Sequence, residues 1–556
     1  MTQQHSIGKF CLSIQLPSRE DAFSLQNRLG TDCKTALAPL MGELFDQWTD
    51  PDTLLQIDKL EIDLGTCSRE TLQRDLPEMI MAFLRKHYPA MKQQATLERG
   101  MERIPLAQGY FQSWLYFLEH GTLPVTAVRW EQAAWEEGIL ATISTEVHAL
   151  RQCRELLVDC AQALPRLLYQ FSRNFIRNWI LAFSGGAYRE AITLVTEWEE
   201  LYNSDVVSPG RIRKFIPAQS VVLPGKDTLY LSATTMLIRE MVLPGVKAEN
   251  VVLLEKLLQV AFGRSYFIHG LHVVRQSVAM ERSAPALLQG ALNLLSGKYR
   301  EVLALFPSSA SFTEEGQQYG KDASPVEENV PAEKEKKTDP DQVEENTRIS
   351  STEKNIDEIS SAENEVANEQ VTSSSVTADT NISVPAPEEG TQLYIGNAGL
   401  ILLHPYLRIL FEELGLLHED VFKDEDAVSR AVQLLGYLAY GENDIPEYDL
   451  LFPKLLCGLM PAQPVKRFIT LTDAEKAEAD TLLQAVINNW GALGETSPDG
   501  LRGNFLLREG RLEWRNEEWQ LYVTQQAYDM LLNRLPWGFS VVGLSWMPWL
   551  IKTVWT

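Results

Sequence analysis

Two histidines three positions apart, His269-Gly-Leu-His272, are the nearest thing to a metal-ligand pair in this chain. On a helix they would share a face, but a metal needs at least one more donor, and no acidic residue is adjacent. They read as packed or surface histidines. Cys153 and Cys160 lie seven apart on a predicted helix and read as small buried side chains rather than ligands or redox partners. Asp58, Glu61 and Asp63 place three carboxylates close together, raw material for acid–base chemistry. They alternate with Leu60, Ile62 and Leu64, so a solvated strand face explains them better. The phosphate-binding loop G-x-x-x-x-G-K-[ST] does not occur, and LPGKDT around Gly225 lacks its earlier glycine. Dinucleotide, zincin, EF-hand and nucleophile-elbow patterns do not occur either. No catalytic residue, cofactor site or metal site is assigned.

The aromatic C-terminal end is the remaining candidate. Seven of the 13 tryptophans fall between Trp490 and Trp555. Core and hairpin packing is the plain reading. The alternative is a patch that docks a partner protein through Trp537, Trp546, Trp549 and Trp555, since tryptophan is enriched at binding hot spots.

The elements around these residues are mainly helical. The 556 residues allow about three or four domains. Residues 1–100 read as a small α/β module of βαβα order. Phe10, Leu12, Ile14 and Leu16 form the first strand face, a helix runs from Ser18 to about Trp48, the run LLQIDKLEIDLG (Leu54–Gly65) alternates again with Leu60, Ile62 and Leu64 on one face, and a helix spans about Ser68–Tyr88. Residues 101–310 read as mostly helical, with helices at Tyr110–Glu119, Val128–Trp135, Ile139–Leu157, Leu167–Phe183, Tyr188–Tyr202, Val251–Phe262 and Ala284–Leu305. The runs SVVLPG and TLYLSA within Val206–Thr235 predict loops and a small hairpin. Residues 392–556 read as an aromatic-rich α+β region. Pro405 opens a helix, Ala427–Tyr440 and Leu451–Leu459 are helical, and Thr472 with Glu475 forms a capping box. Phe505–Leu507, Leu512–Trp514 and Trp519–Val523 predict strands, and Gln525–Leu532 a helix.

Between the two folded regions, residues 311–391 read as an acidic linker. The net charge of the chain is −25, yet Ser311–Gly390 alone holds 20 acidic and 6 basic residues. No Phe, Trp or Tyr occurs between Tyr319 and Tyr394. Such a composition cannot bury enough apolar surface to offset its ordering entropy, which predicts disorder. The acidic balance argues against a nucleic-acid partner. The six sparse cysteines, with no C-x-x-C, fit a reducing cytoplasm, and the N-terminus lacks the pattern of a signal peptide. The uncharged stretch Trp537–Ile551 has 15 residues and contains Pro548, short of a membrane span, so no stable membrane insertion is expected.

Five ordered blocks after the linker carry a family likeness: IGNAGLILLHPYL (Ile395–Leu407), RAVQLLGYLAYGE (Arg430–Glu442), PEYDLLFPKLLCGL (Pro446–Leu459), TSPDGLRGNFLLREGRL (Thr496–Leu512) and LPWGFSVVGLSWMP (Leu535–Pro548). Before the linker, IDKLEIDLG and FLEHGTLP (Phe117–Pro124) add to it. Together they resemble the tape-measure proteins of contractile injection systems, the phage-tail-like particles built from sheath, tube and baseplate. Val125 and Ser545 depart from that pattern, which has Trp after GTLP and Pro before the tryptophan at 546. The resemblance implies a non-enzymatic assembly protein that sets tube and sheath length, with no catalytic residues to carry over. It implies tube, sheath-terminating or baseplate proteins as partners. It also implies assembly in the cytoplasm, with retention inside the tube left open. The alternatives are an adaptor or cargo-loading scaffold of the same particle, with the linker as a tether, and an unrelated hydrolase-type enzyme.

Overall fold

The computed structural model describes residues 5, 7, 10, 12–15, 36–48, 52–57, 59–94, 101–124, 127, 131–203, 224–242, 249–264, 266–280, 285–306 and 386–555. The acidic linker therefore falls outside the described residues, apart from its last few positions. The chain is mostly helical, with short strands concentrated near its C-terminal end.

Residues Met1–Leu303 and Ile382–Thr556 belong to one compact unit. Its apolar interior is nevertheless divided into three clusters. The first is built on Leu37, Leu44, Leu76 and Leu84. The second runs from Phe111 to Leu303 and the third from Ile395 to Ile551.

The N-terminal module alternates strand and helix, but of the alternating run Leu54–Gly65 only the first part is a strand. Phe10 and Leu12–Gln15 adopt no strand, and the predicted helix from Ser18 is described only from residue 36 onward, where Ala38–Phe45 is helical. The strands are β1 (Thr53–Ile57) and β2 (Met101–Pro105), paired antiparallel with Thr53 opposite Pro105. Leu60, Ile62 and Leu64 do turn toward the cluster, while Lys59, Glu61 and Asp63 face water. The alternation was thus real, but over Leu60–Leu64 no strand among the described residues lies beside it, and a strand needs a ladder as well as a pattern.

In the helical region, two predicted helical spans and one predicted hairpin are corrected. Ile139–Leu157 is two helices, Gln132–Thr145 and Val147–Asp159, separated at Glu146, whose backbone is extended (φ −114°, ψ 113°). Leu167–Phe183 likewise breaks into Ala163–Gln170 and Arg173–Phe183, and Ser172 caps the second by accepting a hydrogen bond from the Phe175 amide. The hairpin expected around TLYLSA is instead the helix Lys226–Val242. Leu229, Ala233 and Leu237 are buried along one face of it. Burial at i, i+4 and i+8 outweighs the weak strand preference of the β-branched residues there.

The C-terminal region carries a five-stranded sheet in the order β3-β6-β7-β9-β8. Its strands are β3 (Gln392–Ile395), β6 (Gly510–Arg515), β7 (Glu518–Val523), β8 (Val541–Val542) and β9 (Ile551–Trp555), while β4 (Leu417–His418) and β5 (Val421–Phe422) form a separate antiparallel pair. β6 and β7 form a hairpin through Asn516 and Glu517, both at positive φ (52° and 61°). Trp514 faces Trp519 and Leu512 faces Leu521 across it. β9 runs parallel to β7 and lies between it and the edge strand β8. Phe505–Leu507, expected as a strand, is not one: Arg502–Leu506 is a π-helical turn. The helix expected at Gln525–Leu532 is a 3₁₀ helix, Ala527–Arg534. The Thr472–Glu475 capping box forms as read.

One glycine is fixed by a close approach. A Cβ on Gly399 would lie 1.6 Å from the Phe505 carbonyl oxygen, and the obstacle is main chain, not the end of a flexible side chain. Gly399→Ala is expected to cost about 1–3 kcal/mol, because overpacking forces backbone shifts. Equilibrium urea unfolding of the variant checks this, and an unchanged midpoint would refute the contact.

Candidate functional site

The residues singled out for chemistry are dispersed. His269 and His272 lie on the helix Phe267–Met280. His272 Nε2 is 2.9 Å from the Gln276 amide nitrogen, and burial, aided by Arg275 and His269, pushes its pKa below the ordinary histidine value. Among the described residues, no group of three His, Cys, Asp or Glu is placed to hold a metal ion. Cys153 is buried, and burial pushes its thiol pKa far up, which suppresses thiolate formation. Cys160 does not share its helix, because the helix ends at Asp159. Glu61 pairs with Lys59 at 2.6 Å and Asp63 accepts the Gly65 amide at 2.9 Å, while Asp58 lies outside the described residues.

The four terminal tryptophans pack against the third cluster. Trp537 Nε1 donates to the Leu402 carbonyl at 2.9 Å, Trp546 Nε1 to the Leu456 carbonyl at 2.8 Å and Trp555 Nε1 to Asp529 at 2.8 Å. Trp549 is buried edge-on to Trp514, with ring centroids 6.4 Å apart. Each of these rings therefore braces the fold. The exposed apolar groups nearby are Val541, Leu550 and Val554.

The most unusual chemistry sits where the helical region meets the C-terminal region. Arg166, Glu447 and Lys454 are each fully buried. Glu447 Oε1 accepts from Arg166 Nε at 3.2 Å and from Lys454 Nζ at 2.6 Å. Arg166 also donates to the carbonyls of Leu118 and Ala462, and Lys454 to that of Pro461. Gly121 ends the helix Leu106–His120 in the left-handed region (φ 75°), and a Cβ there would strike Glu447 Oε1, the Pro461 carbonyl and Arg166 Nη2. Two cations face one carboxylate in this cluster. Burial pulls the Lys454 ammonium down to about 8, Glu447 opposing the shift and Arg166 adding to it.

Around this trio the contact is polar. The Glu447 amide donates to Gln170 Oε1 at 3.0 Å, and Gln170 Nε2 donates to the Val465 carbonyl at 2.7 Å. The Arg467 amide donates to the Tyr169 carbonyl at 3.3 Å, and its guanidinium bridges Asp444 and Gln132. Tyr448 provides an aromatic plug between Phe117 and Trp135, with centroids 5.7 and 6.2 Å away. Sequence reasoning missed this cluster because Arg166 and Glu447 are 281 positions apart. The available signal was local: Lys454 stands alone among the apolar residues Leu450–Leu459, seven positions after Glu447.

The two ends of the acidic segment also come to this unit. The chain leaves it at the helix Arg300–Leu303 and returns through β3, the sheet edge, where the Gly390 amide bonds the Trp514 carbonyl at 2.9 Å. No helix among the described residues is long and apolar enough to cross a membrane. No curated protein and no solved structure matches the chain. The family model for the contractile injection system tape measure protein matches residues 4–555, nearly the whole chain, including the five C-terminal blocks and both sides of the buried trio. The chain belongs to the contractile injection system tape measure proteins, a structural, length-determining family.

Proposed function

We propose that this chain sets tube and sheath length as a non-enzymatic assembly protein, with the acidic segment as the adjustable span. The observation that carries the reading is the family match over residues 4–555. The geometry supports a specific form of it. The 82 residues between Leu303 and Ala386 begin and end in one compact unit. Fully extended they measure about 280 Å, but a loop held at both ends reaches only about half that, roughly 140 Å from the body.

Tube, sheath-terminating or baseplate proteins are the proposed partners, met during assembly in the cytoplasm. The aromatic end supports a docking role in a modified form: the packed rings of Trp537, Trp546, Trp549 and Trp555 stiffen the β8–β9 edge, where Val541 and Val554 are exposed. Deleting about half of Ser324–Pro387 and measuring particle lengths by electron microscopy tests the proposal. Shorter particles are expected. Normal assembly at unchanged length, with altered cargo or baseplate content, would favour an adaptor that uses the segment as a tether.

A further inference from the structure

We propose that the contact between the helical region and the C-terminal region is a releasable latch, closed by the Arg166–Glu447–Lys454 cluster, whose opening turns the acidic loop into a full-length span between two separate bodies. The proposal rests on the length-setting reading for its purpose, but not for its mechanics.

Three observations carry it. First, among the described residues the apolar interiors on the two sides do not merge. Tyr448 is the C-terminal residue packed against the helical cluster, and the C-terminal cluster includes no residue from 106–303. Second, apart from the Tyr448 ring, the contact is made by hydrogen bonds and charges, the character of interfaces at which relative domain motion is the default. Third, the buried trio has two cations to one carboxylate, and Glu447 Oε2 has no hydrogen-bond partner among the described residues. A buried ionic cluster gains less from closure than an apolar contact of the same size. On opening, Arg166, Glu447 and Lys454 each regain hydration, so the open form exposes charge rather than core. Both clusters stay closed within themselves.

Opening has a geometric result. Between Leu303 and Ala386 only the acidic segment joins the two bodies, so their greatest separation becomes the full contour of about 280 Å rather than a loop of half that reach. A partner of the growing particle that binds either body more tightly when open would shift this equilibrium.

The test uses the full chain in solution. Glu447→Arg places three cations together and is expected to open the latch. X-ray scattering should then show the radius of gyration rising by roughly half, as two folded bodies separate to the ends of the segment that joins them, with far-ultraviolet circular dichroism unchanged. The combined replacement Arg166→Met, Glu447→Leu and Lys454→Met should stay compact. In the wild-type chain, hydrogen exchange should release the Glu447 and Arg467 amides together, at least about tenfold faster than those of Leu257 and Phe411. The proposal is overturned if Glu447→Arg stays compact, if it expands only with loss of helix, if the apolar replacement also expands, or if all four amides exchange at one rate. Particle length is read separately, on the half-deletion of Ser324–Pro387. Unchanged length there, with Glu447→Arg expanded in solution, would sink the length-setting reading and leave the latch standing.

Discussion

Asp529→Ala is expected to destabilise the C-terminal region by about 3–5 kcal/mol, because it strands a buried guanidinium. Arg508 and Asp529 side chains are both 1% exposed and meet through two hydrogen bonds of 2.6 and 2.7 Å. The same carboxylate accepts the Gln526 amide and the Trp555 indole, each at 2.8 Å, and Arg508 also lies over the Trp555 ring at 5.2 Å. One side chain thus fastens the last strand, the 3₁₀ helix and the turn after the π-helical segment. Burial alone would raise the Asp529 pKa; Arg508, the Gln526 amide and Trp555 outweigh it and hold the carboxyl below its ordinary value. A carboxyl depressed in the folded state contributes stability that is present above the ordinary aspartate pKa and lost as pH falls through the folded one. In the wild type the contribution is therefore complete at neutral pH and disappears in acid. Thermal unfolding followed by tryptophan fluorescence should show a midpoint about 10 °C lower for Asp529→Ala at pH 7, with the gap closing in acid. A shift of about 2 °C or less would mean that Arg508 finds another partner.

Glu447→Gln is the second large effect. It preserves shape but leaves Arg166 and Lys454 buried without a carboxylate, and removing one partner from a buried ionic cluster costs about 3–5 kcal/mol. The sign of its pH dependence follows from the lysine. The Lys454 pKa lies at about 8 in the folded chain, below its ordinary value. The penalty for burying the ammonium is therefore fully present below about 8 and is relieved as pH rises from there toward the ordinary lysine range. Without Glu447 the lysine loses the group that sustains its charge, so the variant starts to recover at a lower pH than the wild type. The gap between the two should be widest near pH 6 and narrow by about 1 kcal/mol per unit as pH approaches 8. Paired melts at pH 6 and 8.5 decide it. A gap that stays constant would show that Lys454 carries no proton in the closed form.

Local features were legible because their causes are local. The Thr472–Glu475 box needs residues three apart, and the helices over Tyr110–Glu119, Tyr188–Tyr202 and Val251–Phe262 have apolar periodicity on a single face. Where the reading failed, a distant partner decided. TLYLSA has the composition of a strand, yet its leucines are held in a helix by burial against other helices. LEIDL alternates like a strand, but β1 pairs with β2 instead. The family blocks were legible as text, and the structure gives some of their residues a reason: Gly399 passes a carbonyl, and Glu447 and Lys454 close a charged cluster. That cluster could not be read from the sequence. Its first member lies on the other side of the acidic segment, and no spacing rule spans such a gap.

Both ends of that segment are anchored in one body, and this separates two quantities that a ruler would otherwise confuse. Tethering sets the effective concentration of one half of the latch for the other, and loop closure depends on length only logarithmically. Doubling the segment weakens closure by about 0.6 kcal/mol, while doubling the greatest span. Length can therefore drift widely by insertion or deletion between Leu303 and Ala386 without retuning a single packed residue.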